Sequence, residues 1–242
     1  MLLRAVSAEG LKYRRTSALF LAVGVPVSIN LLFLLIYALT PRLQRAPVAA
    51  RWEMFLSGGI STWTQLFLPL GLGIIAALAL SLEHGDNQWK HILILGPSRA
   101  AVYIAKWLAV VALVLLGSIA FMLSSVLIGG LVTGFTEIPW LNLLRGAGLS
   151  FIGALGIISL QTWISTRFKA FGVSIGVALF GAIIGDFATE SQVYWKFVPW
   201  TYPVGAFGLP APDNALAMLL SVGLALSVTA LAAWDFQRRD ML

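Results

Sequence analysis

Six stretches of this chain are apolar over membrane-crossing lengths, near 17–39, 60–82, 104–130, 146–166, 170–187 and 214–234, and nothing else in it restricts the fold so strongly. A hydrocarbon layer of about 30 Å takes roughly 20 helical residues, and at that depth every backbone polar group must be satisfied within its own segment. The 242 residues are 59% hydrophobic and only 11% charged, well outside the composition of soluble domains. The expected fold class is an all-α integral membrane protein, one transmembrane domain over 1–242 with six transmembrane helices.

An even number of spans puts both ends of the chain on one side. Counting Lys and Arg decides which. With the N-terminus inside, the inner segments carry eleven of these residues, including Arg4, Lys12, Arg14, Arg15, Lys90, Arg167 and Arg239, and the outer segments carry five. That excess predicts an N-in, C-in protein. The formal charge of +6 therefore reads as topology; no basic cluster with interleaved aromatics points to nucleic acid. Residues 1–16 read as an amphipathic surface helix, with Leu2, Val6 and Tyr13 on one line and Arg4, Lys12 and Arg15 toward the other side, a pattern that lies flat on anionic membrane lipid. A secretory signal is the competing reading, but the apolar core that follows is about 23 residues long, against the roughly 7–15 of a signal sequence.

Between the second and third spans lies the longest polar interruption on the inner side, EHGDNQWKHILILGPSRAAVYIAK from Glu83 to Lys106. Asp86 suits an N-cap, Gly96 a C′ position, and Pro97 stops the helix. The helix between them is about 13 Å long, too short to cross a membrane. Trp89, Ile92 and Leu93 share a side, flanked by Lys90 and His91, so an apolar knob is presented at the end of two long helices. The alternative is a helix lying in the headgroups, against which the acidic start, Glu83 and Asp86, argues. On the outer side, 188–213 is rich in aromatics and proline. Tyr194, Trp195, Trp200 and Tyr202 suit an interfacial belt, and Pro199, Pro203 and Pro210 prevent a full crossing, so a re-entrant segment is expected there.

Within the spans the polar candidates for a translocation path are Asn30, Gln65 and Gln161, each of which can instead bond a neighbouring helix. Pro26 leaves the carbonyl of Ala22 without its helical donor and predicts a kink. Gly172 with Gly176, and Gly181 with Gly185, form two small-residue pairs suited to helix packing or to a dimer interface. The chain has no cysteine and only two histidines, His84 and His91, which do not form a zinc-binding helix pair. It contains no phosphate-binding loop of the Walker type. No catalytic residue, metal ligand or cofactor is assigned, and an energy source must come from elsewhere.

The run Glu83, Asn87, Trp89, Lys90, Pro97, Arg99, Tyr103 and Lys106 resembles the E…N-x-W-K…P…R…Y-x-A-K pattern of permease subunits of type-2 ABC exporters, most closely those of lantibiotic immunity and bacitracin resistance. Glu9, Lys12, Arg14, Arg15 and Thr16 before the first span, and Arg238, Arg239 and Asp240 after the last, are similar to theirs. The resemblance implies a bacterial plasma-membrane subunit that pairs with a second permease chain, identical or sister, and with two copies of a separate ABC ATPase. Residues 1–16 would then be an elbow helix and 83–103 the coupling loop. Asp86, Asn87, Trp89, Lys90, His91, Ile92 and Leu93 would dock the ATPase, framed by Glu83, Pro97, Arg99 and Lys106. The implied cargo is a peptide, antibiotic or other amphiphile moved outward. Some relatives handle ions or copper and sulfur species, and a non-transporting scaffold or sensor would use the same architecture; a membrane enzyme is the reading with least support.

Overall fold

The computed structural model describes residues 12–13, 16–84, 98–208 and 213–238, with side chains omitted at 82–84. Among these residues the chain is helical nearly throughout and contains no strand, and six helices are long and apolar enough to cross a membrane. This is an all-α, multi-pass integral membrane fold. We number the helices α1 (Ser17–Leu39), α2 (Pro41–Gln44), α3 (Val48–Ser81), α4 (Arg99–Thr133), α5 (Trp140–Arg167), α6 (Phe171–Thr189), α7 (Tyr202–Gly208) and α8 (Asp213–Arg238). The last α-helical stretch of α3, Leu68–His84, continues three residues beyond the apolar span.

α3 starts earlier than hydropathy suggests. Residues 40–59, expected as an outer loop, are mostly helical, because this region is clasped to the C-terminal end of α4. Arg51 donates to the carbonyls of Gln44 (2.9 Å), Ala46 (2.9 Å) and Val132 (3.2 Å), a cation set against exposed helix-end carbonyls, where the macrodipole favours it. Trp52 donates to the Thr136 carbonyl at 2.9 Å and packs on Gly129. α4 ends on Gly134 in the left-handed region, φ 68°, and the Phe135 amide closes back on the Gly130 carbonyl at 2.8 Å.

Two stretches of α3, Met54–Gly59 and Trp63–Phe67, are wound as wider π turns. Such turns insert an extra residue per turn and recur at functional positions. Here they let large rings reach fixed neighbours: Phe55 sits 6.3 Å from Phe33 and 6.4 Å from Trp52, and Trp63 stacks on Phe121 with centroids 5.3 Å apart and planes within 9°.

α5 occupies the centre, packing against α3, α4, α6, α7 and α8, while α1 pairs with α4. Most of α1, α6 and α8 faces outward, with Phe20, Leu39, Phe180, Phe187, Leu219 and Leu226 exposed, as expected of lipid-facing side chains. The turn between α5 and α6 is short, so the two run antiparallel and meet near it. α6 nevertheless packs more extensively on α3 than on α5, because a methyl group at Gly73 would overlap that of Ala178 and only glycine allows the approach.

Candidate functional site

The helices alternate in direction, so the starts of α1, α4 and α6 share one end with the exits of α3, α5 and α8. Arg99, Arg167, Lys169 and Arg238 all fall at this basic end. The expected docking residues Asp86, Asn87, Trp89, Lys90, His91, Ile92 and Leu93, and the framing Pro97, lie outside the described residues; Glu83 and His84 are seen only as backbone at the end of Leu68–His84. What is described is the frame on either side. Tyr13 is buried and its phenol donates to the Ala79 carbonyl at 3.3 Å, tying the chain before α1 to α3. Ser98 caps α4 by accepting from the Ala101 amide at 3.2 Å. Arg99 donates to the Gln237 carbonyl at 3.1 Å, and Tyr103 lies 6.0 Å from the ring of Phe236 within a cluster completed by Val102 and Ala232. The helix leaving the loop is thus fastened to the end of α8.

Lys106, expected as one of the residues framing the docking loop, is wholly buried in the second turn of α4. The residue is not without a partner. That agrees with the general cost of an uncompensated charge away from water.

Three polar side chains bolt helices together, and each engages one turn of its neighbour. Asn30 of α1 donates to the Phe121 carbonyl (3.3 Å) and to Ser124 Oγ (2.8 Å) of α4, and accepts from Ser125 Oγ at 3.1 Å. Gln161 of α5, in the orientation that satisfies both ends of its amide, donates to the Ser174 carbonyl (3.3 Å) and accepts from the Ala178 amide (3.1 Å) of α6. Ser221 of α8 donates to the carbonyls of Ile152 and Gly153 (2.9 and 2.8 Å) and accepts from the Gly156 amide at 3.0 Å. In the last two cases the polar group bridges both partners of a single i to i−4 step. Asn30, Gln161 and Ser221 are fully buried, so two of the three candidate path residues serve as helix connectors in this conformation. Gln65, in the second π turn of α3, is half-buried and makes no side-chain hydrogen bond among the described residues.

At the opposite end, two short 3₁₀ turns, Tyr194–Phe197 and Pro199–Thr201, lead into α7. The expected aromatic belt divides here. Trp195 and Tyr202 are buried with Ala206 and Ala217, while Tyr194 and Phe197 face outward. Thr201 Oγ1 donates to the Trp195 carbonyl at 2.7 Å, and the Tyr202 phenol donates to the Lys196 carbonyl at 2.9 Å. Burial pushes the Tyr202 pKa up from its ordinary value, so the phenol remains a neutral donor. Trp200 fills the notch of Gly181 and Gly185 on α6, and the Tyr202 carbonyl sits where a methyl on Gly153 would come within 2.5 Å. The glycine face of α5, Gly146, Gly153 and Gly156, was not singled out from the sequence; its seven-residue step from Gly146 to Gly153 was the available signal. Beside Trp200 an apolar groove of about 850 Å³, including its open mouth, runs between α6 and residues 197–200 and is lined by Gly176, Phe180, Ile184 and Phe197. Among the described residues no three His, Asp or Glu side chains gather to hold a metal ion.

A six-helix bundle whose buried amides and hydroxyls lock helix to helix, with its basic loop frame at one end, defines a polytopic membrane component. The chain matches the family described as ABC-2 family transporter protein over residues 5–185, well over half its length, and it belongs to that family. It is accordingly a membrane permease component of an ABC transporter, and membership implies association with an ABC ATPase and, typically, a dimeric permease. No curated protein and no solved structure matches the chain.

Proposed function

We propose that this chain is the membrane half of an ATP-driven exporter of the lantibiotic-immunity and bacitracin-resistance type, moving a peptide, antibiotic or other amphiphile outward across a bacterial plasma membrane. Two permease chains work with two separate ATPases. The elbow helix 1–16 and the coupling loop 83–103 lie on the cytoplasmic side, consistent with the excess of Lys and Arg there. The observation that carries this reading is the family match over residues 5–185, which contains the whole Glu83–Lys106 stretch. Closure of the nucleotide-bound ATPases displaces the knob centred on Trp89. The fastened start of α4 passes that displacement to α8, and the spans rearrange between two discrete packings. Gln65, in its wide turn, and the apolar groove beside Trp200 support an amphiphilic cargo, which needs generic apolar lining and few polar contacts. Residues 188–213 act as a re-entrant outer segment, a reading supported by the packing of 194–208 against α5, α6 and α8.

The test uses the full chain co-expressed with its ATPase. Removing an aromatic anchor from a desolvated groove costs about 2–4 kcal/mol of binding, so Trp89→Ala is expected to lose the co-purifying ATPase and transport while the permease remains inserted. Wild-type transport by this variant would reject the coupling assignment.

A further inference from the structure

At the basic end, α5 and α8 together build a small cluster that the transport reading does not use. Arg238 lies over the indole of Trp234, 3.9 Å from the ring centroid and one helical turn back along its own helix. Across from it, Trp163 Nε1 donates to Asp235 Oδ2 at 3.3 Å, and Arg167 Nη1 stands 3.9 Å from Asp235 Oδ1. That last separation is an ion pair without a hydrogen bond. Arg167 thus borders the Asp235 carboxylate, Arg238 lies over Trp234 one turn further along α8, and Lys169 follows Arg167 by two residues. Among the described residues neither arginine side chain donates a hydrogen bond to any acceptor. Trp163, Trp234, Arg167 and Arg238 are all exposed.

We infer that this cluster is a binding site for an anionic phospholipid. The order of side chains along α8 matches the order of groups in such a lipid with depth. Leu226 and Leu231 are exposed at 69% and 62% and meet the acyl chains. Trp234, with Trp163 from α5, stands at the interface, where indoles concentrate. Arg238 and Arg167 then flank the phosphate as fork-shaped donors. A cation at an apolar border ordinarily extends toward water. Arg238 instead folds back onto the indole of Trp234, which keeps its charge beside that interfacial ring. That posture favours a lipid over a soluble acidic partner. A zwitterionic headgroup carries its own cation and gains less from two arginines, so selectivity for net negative charge follows.

The experiment incubates the purified full chain with mixed phosphatidylglycerol and phosphatidylcholine micelles and counts retained lipids by native mass spectrometry. Phosphatidylglycerol is expected to be retained selectively and to resist displacement by excess inorganic phosphate. Arg167→Gln combined with Arg238→Gln should lower that selectivity about thirtyfold, from about fivefold per surface cation. Asp235→Asn should raise it by roughly twofold to fivefold, a gain that misfolding cannot produce. Equal retention of the two lipids by the wild type, or wild-type selectivity in the double arginine variant, would overturn the assignment.

Discussion

The two glycine pairs of α6 have the same spacing and opposite surroundings. At Gly181 and Gly185 the ring and backbone of Trp200 occupy the space a side chain would need, whereas at Gly172 and Gly176 nothing lies within 4 Å of a built methyl group. One pair is therefore spent within the chain, holding the segment 194–208 against the bundle. The other is left open on a helix most of whose surface faces outward. In a membrane, where lipid tails are as apolar as leucine, close backbone approach is a main source of helix association. A small-residue pair thus has value only where a partner fills it, and the contrast separates an intramolecular joint from a surface available to a second permease chain.

The comparison can be broken at three points, from the largest expected effect to the smallest. Trp200→Ala empties the notch, and large-to-small changes of this kind cost about 3–5 kcal/mol; thermal unfolding of the purified chain should show a clear loss, and an unchanged midpoint would mean that the segment is held elsewhere. Gly181→Ala overpacks the same joint by one methyl group set against a rigid indole, with an expected cost of about 1–3 kcal/mol read by the same assay. A smaller effect than at Gly176 would invert the picture. Gly176→Ala should leave the midpoint of a single chain within about 0.5 kcal/mol of the wild type, and a cysteine at 176 should crosslink between copies in membranes where one at 181 does not. Crosslinking at 181 alone would remove the distinction altogether.

Much of the architecture was legible from composition. Each of the six expected apolar runs falls within or overlaps one long apolar helix, since any apolar run of the right length must satisfy its backbone as a helix. α3 was misjudged at its start because Arg51, Trp52 and Glu53 are polar or amphipathic; the clasp of Arg51 to the carbonyls of Gln44, Ala46 and Val132 joins residues 81 positions apart, which no local pattern encodes. The π turns at Met54–Gly59 and Trp63–Phe67 were equally hidden, as they answer to where Phe33 and Phe121 stand. Trp195 and Tyr202 were read as belt residues because aromatics beside proline at a span end usually are; their burial depends on small residues of α7 and α8, Ala206 and Ala217. Asn30 and Gln161 were recognised as polar groups at membrane depth. That they bond α4 and α6, while Gln65 makes no such bond, follows from helix rotation.

What the sequence determined by itself is the class of protein: six apolar segments and an asymmetric distribution of arginine and lysine leave little other than a multi-pass helical bundle, because the requirement is local and is imposed segment by segment by the solvent. Which glycines are closed, which amides are satisfied and which arginines are left facing outward was decided only by the tertiary structure. Those properties depend on how each helix is rotated and how near it comes to others far away in the chain, and packing sets both.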